Sequence, residues 1–525
     1  MKLYPEKVFE EYRNGCNFKA ALGAKGLDEQ SKINERFYIG DQWHGAKCGN
    51  ERPLVRHNII KRIGEYKISQ ITANAVTLNY SAEGVVIENN DLDLPLGVNA
   101  MGNNEEINLI MEAFSKYYNS VSERIGYSEL CSRILRNAYV MGSSVLYTYW
   151  DDSALTGFYR DSSGKNLVRG DICCEVLDIK DIVFGDPFCT NLQKQPYIII
   201  SSFMNSEDVI REARLHGADI KTLGIIENLA CQGKVQVLTR LAKKYNPDGT
   251  SRITACKVCE KAVIRAEFDT ALSLYPLACF SWERKSNCIY GESEVTFLIP
   301  NQIAINRMIT ANVWASMTAG MPTMLVNGDL VSNKITNDPG QIIKIFGSGD
   351  DLNGAIKYIT PPSVSKDFDT SINTLISNTL TQSGANEVAL GDSRADNATA
   401  LANMRDAALM PLQIVKNRYY AFLEEVARIW ADFWIGYYGS RYLKVYDGKK
   451  ASYIPFNAKR YKGLSVMAKV DVNNAISYTE REKINMLITL FEKGIINREQ
   501  FLKRIPDGVI ADVKSLIEES AEEKA

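Results

Sequence analysis

Histidines, cysteines and close-set carboxylates are where catalytic or metal chemistry first shows in a chain, and here few of them converge. The three histidines are His44, His57 and His216, with no HExxH pair among them. There is no G-x-S-x-G elbow and no nucleophile–base signature. The run GFYRDSSGKN holds a Gly-Lys, but it lacks the spacing of a Walker loop and the Ser/Thr that would hold magnesium. Cys256 and Cys259 form a C-x-x-C, followed by Cys279 and Cys288. A zinc site would need a second closely spaced ligand pair; here the spacing is wide and no histidine is near, so these read as small apolar strand residues. Cys173 and Cys174 lie in a strand-like run and read as core. Asp151 and Asp152 fall at a strand end, where carboxylates solvate a turn. Asp392 and Asp396 could pair on a loop, with nothing nearby to tune or use them. The expectation is a protein without catalytic residues, metal or cofactor.

The surrounding elements look like scaffolding. Residues 1–80 read as mostly helical, with a helix pattern from Asp28 to Tyr38 that IGDQWHG breaks. Residues 104–142 read as helix, carrying Ile107, Ile110, Met111, Phe114 and Tyr118, then Leu130, Ile134, Ala138 and Met141, and ending at Gly142. From 143 to 290, short β-branched and aromatic runs alternate with turn residues, which predicts a mixed domain on antiparallel sheet interrupted by one helix, Ser206 to His216.

Gly291 then opens a helix with a stripe of Val295, Leu298, Ile299, Gln302, Ile305, Ile309, Val313 and Met317. Pro300 either kinks it or marks its start, and Gly320 and Pro322 stop it. Residues 321–362 read as a β insert closed by Pro361-Pro362. A second helix, Asp367 to Gly384, has Phe368, Ile372, Leu375, Ile376 and Leu380 as its stripe. Residues 385–397 form a loop, and a helix of roughly 50 Å runs on to Trp434, bent at Pro411. Tyr442–Val445 and Leu464–Val472 read as strands, and Thr479 with Glu482 makes a capping box for a C-terminal helix.

With 525 residues, 45% apolar and 24% charged, the chain suits several globular domains. Its formal charge of −2 argues against a surface that grips nucleic acid, yet allows one along which DNA slides. Nothing approaches the roughly 18 apolar residues of a membrane span. The N-terminal MKLYPEKVFEEYRNG lacks a signal peptide's apolar core, and eleven scattered cysteines suit free thiols in a reducing compartment.

Five passages together resemble the portal proteins of tailed bacteriophages, in the family's order and over most of the chain. They are NERFYIGDQW followed by RPLVRHNIIKRI; ILRNAYVMGSSVLYTYWDD; IYGESEVTFLIPNQIAINRM; QSGANEVALGDSRADNATALANMRDAALMPLQ; and LITLFEKGIINREQFLKRIP. The resemblance implies an α+β fold. Residues 1–290 would be a mixed α/β wing, 291–320 a first stem helix, 321–362 a small β-containing clip and 363–384 a second stem helix. Residues 385–398 would be the tunnel loop, 399–475 the long helix with the remaining wing, and 476–525 a helical crown.

It further implies a ring of twelve copies at a capsid vertex of the virion, assembled in the host cytoplasm. Double-stranded DNA would pass through its channel, and the large terminase subunit would dock on the clip. Capsid, scaffolding and head-completion or adaptor proteins would be further partners. The tunnel-loop candidates are Asp392, Ser393, Arg394, Asp396 and Asn397, with Arg394 the only cation there to touch phosphate or to pair with a neighbouring aspartate. Between Ser363 and Trp434 stand six Lys/Arg and nine Asp/Glu, an excess that would repel DNA in a ring or simply solvate outer helix faces. Trp314, Trp430 and Trp434 read as core or subunit-contact aromatics. The alternatives are a different ring-forming head–tail adaptor component and a hydrolase whose site escapes motif reading.

Overall fold

The computed structural model describes residues 5–46, 53–73, 76–83, 104–154, 170–247, 251–319, 366–385, 410–447, 450–461 and 463–472, with short pieces at 159–160, 166–167, 323–326, 356–359, 487–494, 496–497 and 500–501. The fold is α+β. The chain opens with three helices, α1 (Pro5–Ala20), α2 (Leu27–Ile39) and α3 (Ile59–Thr72), then strand β1 (Val76–Glu83). The expected helix over 104–142 is two, α4 (Asn104–Ile125) and α5 (Tyr127–Met141). Gly126 separates them at φ 68°, a left-handed conformation that interrupts the helical ladder.

Next come β2 (Ser143–Asp151), β3 (Tyr159–Arg160), β4 (Asn166–Leu167), β5 (Asp171–Asp178), β6 (Ile182–Phe184) and β7 (Tyr197–Asn205). The expected helix follows as α6 (Ser206–Leu215), joined by an unexpected α7 (Ile220–Asn228), which Asp219 caps by accepting from Thr222 N. Strands β8 (Lys234–Tyr245), β9 (Ser251–Cys259), β10 (Ala262–Asp269) and β11 (Leu277–Ser281) complete the block.

All five strands of the main sheet, β10-β9-β8-β7-β6, pair antiparallel. Both its faces are covered. Val235, Val237, Cys259 and Ile264 pack with Val209 and Ala213 of α6 and Ile226 of α7. On the opposite face, Ile199, Leu238 and Val258 pack with Val8 and Phe9 of α1. This explains the unbroken run Ile198–Ile200, all buried, where a half-exposed strand would alternate. A second sheet, β11-β2-β5, lies against α5 and the last long helix.

The remainder is α8 (Glu294–Ala319), β12 (Thr323–Val326), β13 (Ile356–Ile359), α9 (Lys366–Gln382), α10 (Gln413–Tyr437), β14 (Ser440–Asp447), β15 (Lys450–Asn457) and β16 (Ser465–Val472). Helix α8 runs through Pro300. The long final helix differs from expectation: Met410–Leu412 form a 3₁₀ turn at Pro411, and the α-helix starts only at Gln413. Proline has no N–H to give to an α-helical ladder at this position. Residues 399–409 of the expected helix lie outside the described residues. At 25 residues, α10 is about 37 Å long and passes Trp434 by one turn.

Trp430 and Trp434 of α10 are fully buried and centre an aromatic cluster. Trp434 meets Phe114 at 4.9 Å and Tyr117 at 5.3 Å between ring centroids, and Trp430 meets Tyr118 at 4.9 Å. The chain forms two compact units: residues 1–73 with 78–470, and residues 74–77 with 471–525. In the second, described helical residues at 487–492 end in Gly494 at φ 68°. The capping pair Thr479 and Glu482 lies outside the described residues. Among the described residues, no helix is long and apolar enough to cross a membrane.

Candidate functional site

Helix α8 is one leg of a long hairpin. Along it Asn301 Nδ2 donates to Thr379 Oγ1 (3.3 Å) and Asn312 Nδ2 to Asp369 Oδ1 (2.6 Å), so α9 lies antiparallel beside it. Beyond the helices the legs continue as paired strands, Thr323 opposite Ile359 through Val326 opposite Ile356. The partner number falls almost one for one as the outgoing number rises. Of the insert expected at 321–362, these two strands are described.

The base of this hairpin is held by unusually close contacts. Gly142, at φ 90°, ends α5 where Gly291 crosses it. A Cβ on Gly291 would lie 2.6 Å from the Gly142 carbonyl oxygen and 2.8 Å from that of Glu283, so only glycine admits this backbone crossing. Gly291 N donates to Ser143 Oγ, and Ser293 Oγ donates to the Tyr139 carbonyl. Glu294 receives Lys67 Nζ and Trp282 Nε1. Tyr139 Oη donates to the Ile60 carbonyl, and burial holds its phenol proton on well above the ordinary range.

Higher on α8, Gln302 and Asn306 are buried, though Gln302 was read as part of an apolar stripe. Gln302 Oε1 accepts from Ile59 N and Ile60 N, two first-turn donors of α3 that have no partner within their own helix. Its Nε2 donates to the His57 carbonyl. Asn306 accepts from His57 N and donates to Gln42 Oε1. Asn58 accepts from Lys61 N as the N-cap of α3, and Asn34 donates to the Val140 carbonyl and to Thr296 Oγ1. GDQW, RHNII, VMGSS and GESE, far apart in sequence, therefore meet around the first half of α8. Periodicity could not reveal this, because amides at helical spacing look like interruptions of a stripe.

The outer half of α8 is different. Ile309, Val313 and Trp314 are half-buried and Met317 is 48% exposed, interspersed with the polar Arg307, Thr310, Asn312 and Ser316. Among the described residues, α9 is the helix that packs along this half.

The excursion between the two long helices is closed at its base. Gly384, at φ 74°, ends α9, and a Cβ there would stand 3.5 Å from that of Pro411. The candidates Asp392, Ser393, Arg394, Asp396 and Asn397 lie outside the described residues. Of the acids counted between Ser363 and Trp434, the three on α10 have structural partners. Asp432 accepts from Ser273 N, Ser273 Oγ and Leu274 N, Glu424 from Val470 N, and Glu425 from Gln193 Nε2. These three acids are tied to structural partners rather than spread over an outer helix face.

A cavity of about 600 Å³ lies beside α10, lined among others by Glu425, Arg428, Asp432, Arg284 and Cys279. Burial pushes the Glu425 carboxyl up, against Gln193 and the two guanidiniums, and pushes Asp432 up as well. Burial also pushes the Cys279 thiol up to about 12, which removes nucleophilic thiolate. No histidine lines this cavity. Cys256 and Cys259 are buried in β9, as paired strand residues should be, and Cys173 and Cys174 are half-buried in β5. Asp151 accepts from Ser153 N and Oγ, and Asp152 from Trp150 Nε1, so both serve their turn.

No family model matches the chain, and a search of curated proteins finds no relative.

Proposed function

We propose that this chain is a portal protein: a ring-forming, non-catalytic channel for double-stranded DNA at a capsid vertex. The observation that carries the proposal is the α8–β12–β13–α9 hairpin, with apolar Ile309, Val313, Trp314 and Met317 left half-covered on its outer half. Large apolar side chains left half-covered along one half of a helix suit a further packing partner. Neighbouring copies of the same hairpin, set side by side about a symmetry axis, would supply that partner. The polar anchor at Gln302 and Asn306 fixes the hairpin's direction relative to the wing, which a closed ring requires of every copy. The order of the five sequence passages supports the same reading. In it, the β12–β13 end docks the terminase motor, and the segment between Gly384 and Pro411 faces the DNA.

The test is the mass and shape of the purified full chain. Sedimentation and negative-stain images should show closed rings with a central channel, near twelve times 58.8 kDa. A monodisperse monomer at high concentration, with no rings even on capsid assemblies, overturns the proposal. A compact dimer or tetramer would favour the hydrolase alternative.

A further inference from the structure

A second cavity, of about 390 Å³, opens between α2, the turn that follows it and the flank of α8. Three chain segments bring cations to it: Lys25 ahead of α2, Arg36 in the last turn of α2, and Arg307 on α8. None of the three has an ion pair among the described residues, whereas Glu35 and Arg136 nearby hold each other. The acid lining the cavity, Asp41, is engaged by His44 at 3.3 Å between Nδ1 and Oδ2. Trp43 and Phe37 supply aromatic wall.

The frame beneath is fixed by buried amides rather than by the cations themselves. Gln42 donates to the Phe37 carbonyl and accepts from Asn306, and Trp43 Nε1 donates to the Val55 carbonyl. Like charges gathered on a rigid frame repel one another, and an anion relieves that repulsion. Part of Arg36's charge complements the negative end of α2, but Lys25 and Arg307 have no such use.

We propose that this cavity binds a phosphate-class dianion. Three cations against one carboxylate leave two positive charges to neutralise, and Arg36 offers the planar donor fork that phosphate oxygens accept. The volume exceeds that of phosphate alone and leaves room for an attached sugar beside Trp43. The phosphate belongs either to a free anion or to a nucleic-acid backbone. The inference does not rest on the portal reading, since the cavity is built within one chain.

Calorimetric titration of the full chain with inorganic phosphate, and separately with a short DNA duplex, tests it. The double variant Arg36→Gln/Arg307→Gln should weaken phosphate binding about tenfold or more, and Asp41→Asn should tighten it several-fold. Two changes of opposite sign cannot both come from misfolding, and Lys25→Gln gives a milder third arm. Phosphate binding that follows this pattern supports a free-anion site. Duplex binding that follows it, and that phosphate displaces, supports the nucleic-acid backbone as the source. If neither titrant binds, or if binding ignores all these substitutions, the proposal is overturned.

Discussion

Gly291 shows how much one missing side chain can settle. Any Cβ there would press on two backbone carbonyl oxygens. Gly291→Ala should therefore cost about 1–3 kcal/mol, read as a lower urea midpoint with unchanged slope. A midpoint equal to the parent's would mean that the crossing relaxes freely. Glu425 offers a test with a sign. Its carboxyl, pushed up by burial, binds its proton more tightly folded than unfolded. Stability must then fall as pH rises from the ordinary carboxylate value through the folded one. Glu425→Gln removes that slope, so the variant should outlast the parent at neutral pH and converge with it in acid. A variant less stable than the parent at neutral pH would show that the charge is stabilising. At this scale the sequence was legible where a residue obeys local rules: Asp151 and Asp152 at their turn, Trp430 and Trp434 in the core. It did not reveal the partners of Gly291 and Gln302, which lie some 150 and 240 residues away.

Elements were legible to the extent that their periodicity was undisturbed. Helices α2, α8 and α9 lie close to where spacing put them, and the end of α5 falls at Gly142 as expected. Helix α7 was missed because its nine residues, lying against the sheet, are too few for a clear period. Strand β15 was missed beside Tyr442–Val445, since its run KASYIPFN holds a proline and little alternation. At Pro411 a 3₁₀ turn stands where a bend within one α-helix was expected, and the α-helix begins after it. The tie between α8 and α3 gives the element-scale prediction. Gln302→Leu keeps the bulk but leaves Ile60 N without its acceptor and Ile59 N with the His57 carbonyl alone, at about 1–3 kcal/mol for the orphaned buried donor. Amide exchange at the start of α3 should accelerate more than exchange in the main sheet. Equal acceleration everywhere would mean that the contact supports the whole fold and not this helix end.

For the whole molecule, the two-legged hairpin predicts separable parts. Deleting 321–362 and rejoining the legs with a short turn should leave the sheets and aromatic core folded, because those cores draw on other elements. Under the proposed function the same deletion should abolish terminase docking and DNA packaging. Normal packaging by the deleted protein would place the motor elsewhere. The α+β class, and the helix–strand–helix order from α8 to α9, could be read from the chain. The two-sided burial of the main sheet and the convergence of four motifs on α8 could not, since both depend on long-range contacts that no local pattern encodes.

The near one-for-one register of that hairpin also constrains how such a chain can change length. A residue gained in one leg displaces every rung beyond it, so Asn312 would lose Asp369 and Thr323 would lose Ile359 unless the other leg gained a residue too. Length changes in 294–326 and 356–382 should therefore be inherited in matched pairs. The segment between Gly384 and Pro411 is under no such rule. Its two ends already touch, so residues can be added or removed between them without moving either helix, and diversity among descendants of this chain should collect there.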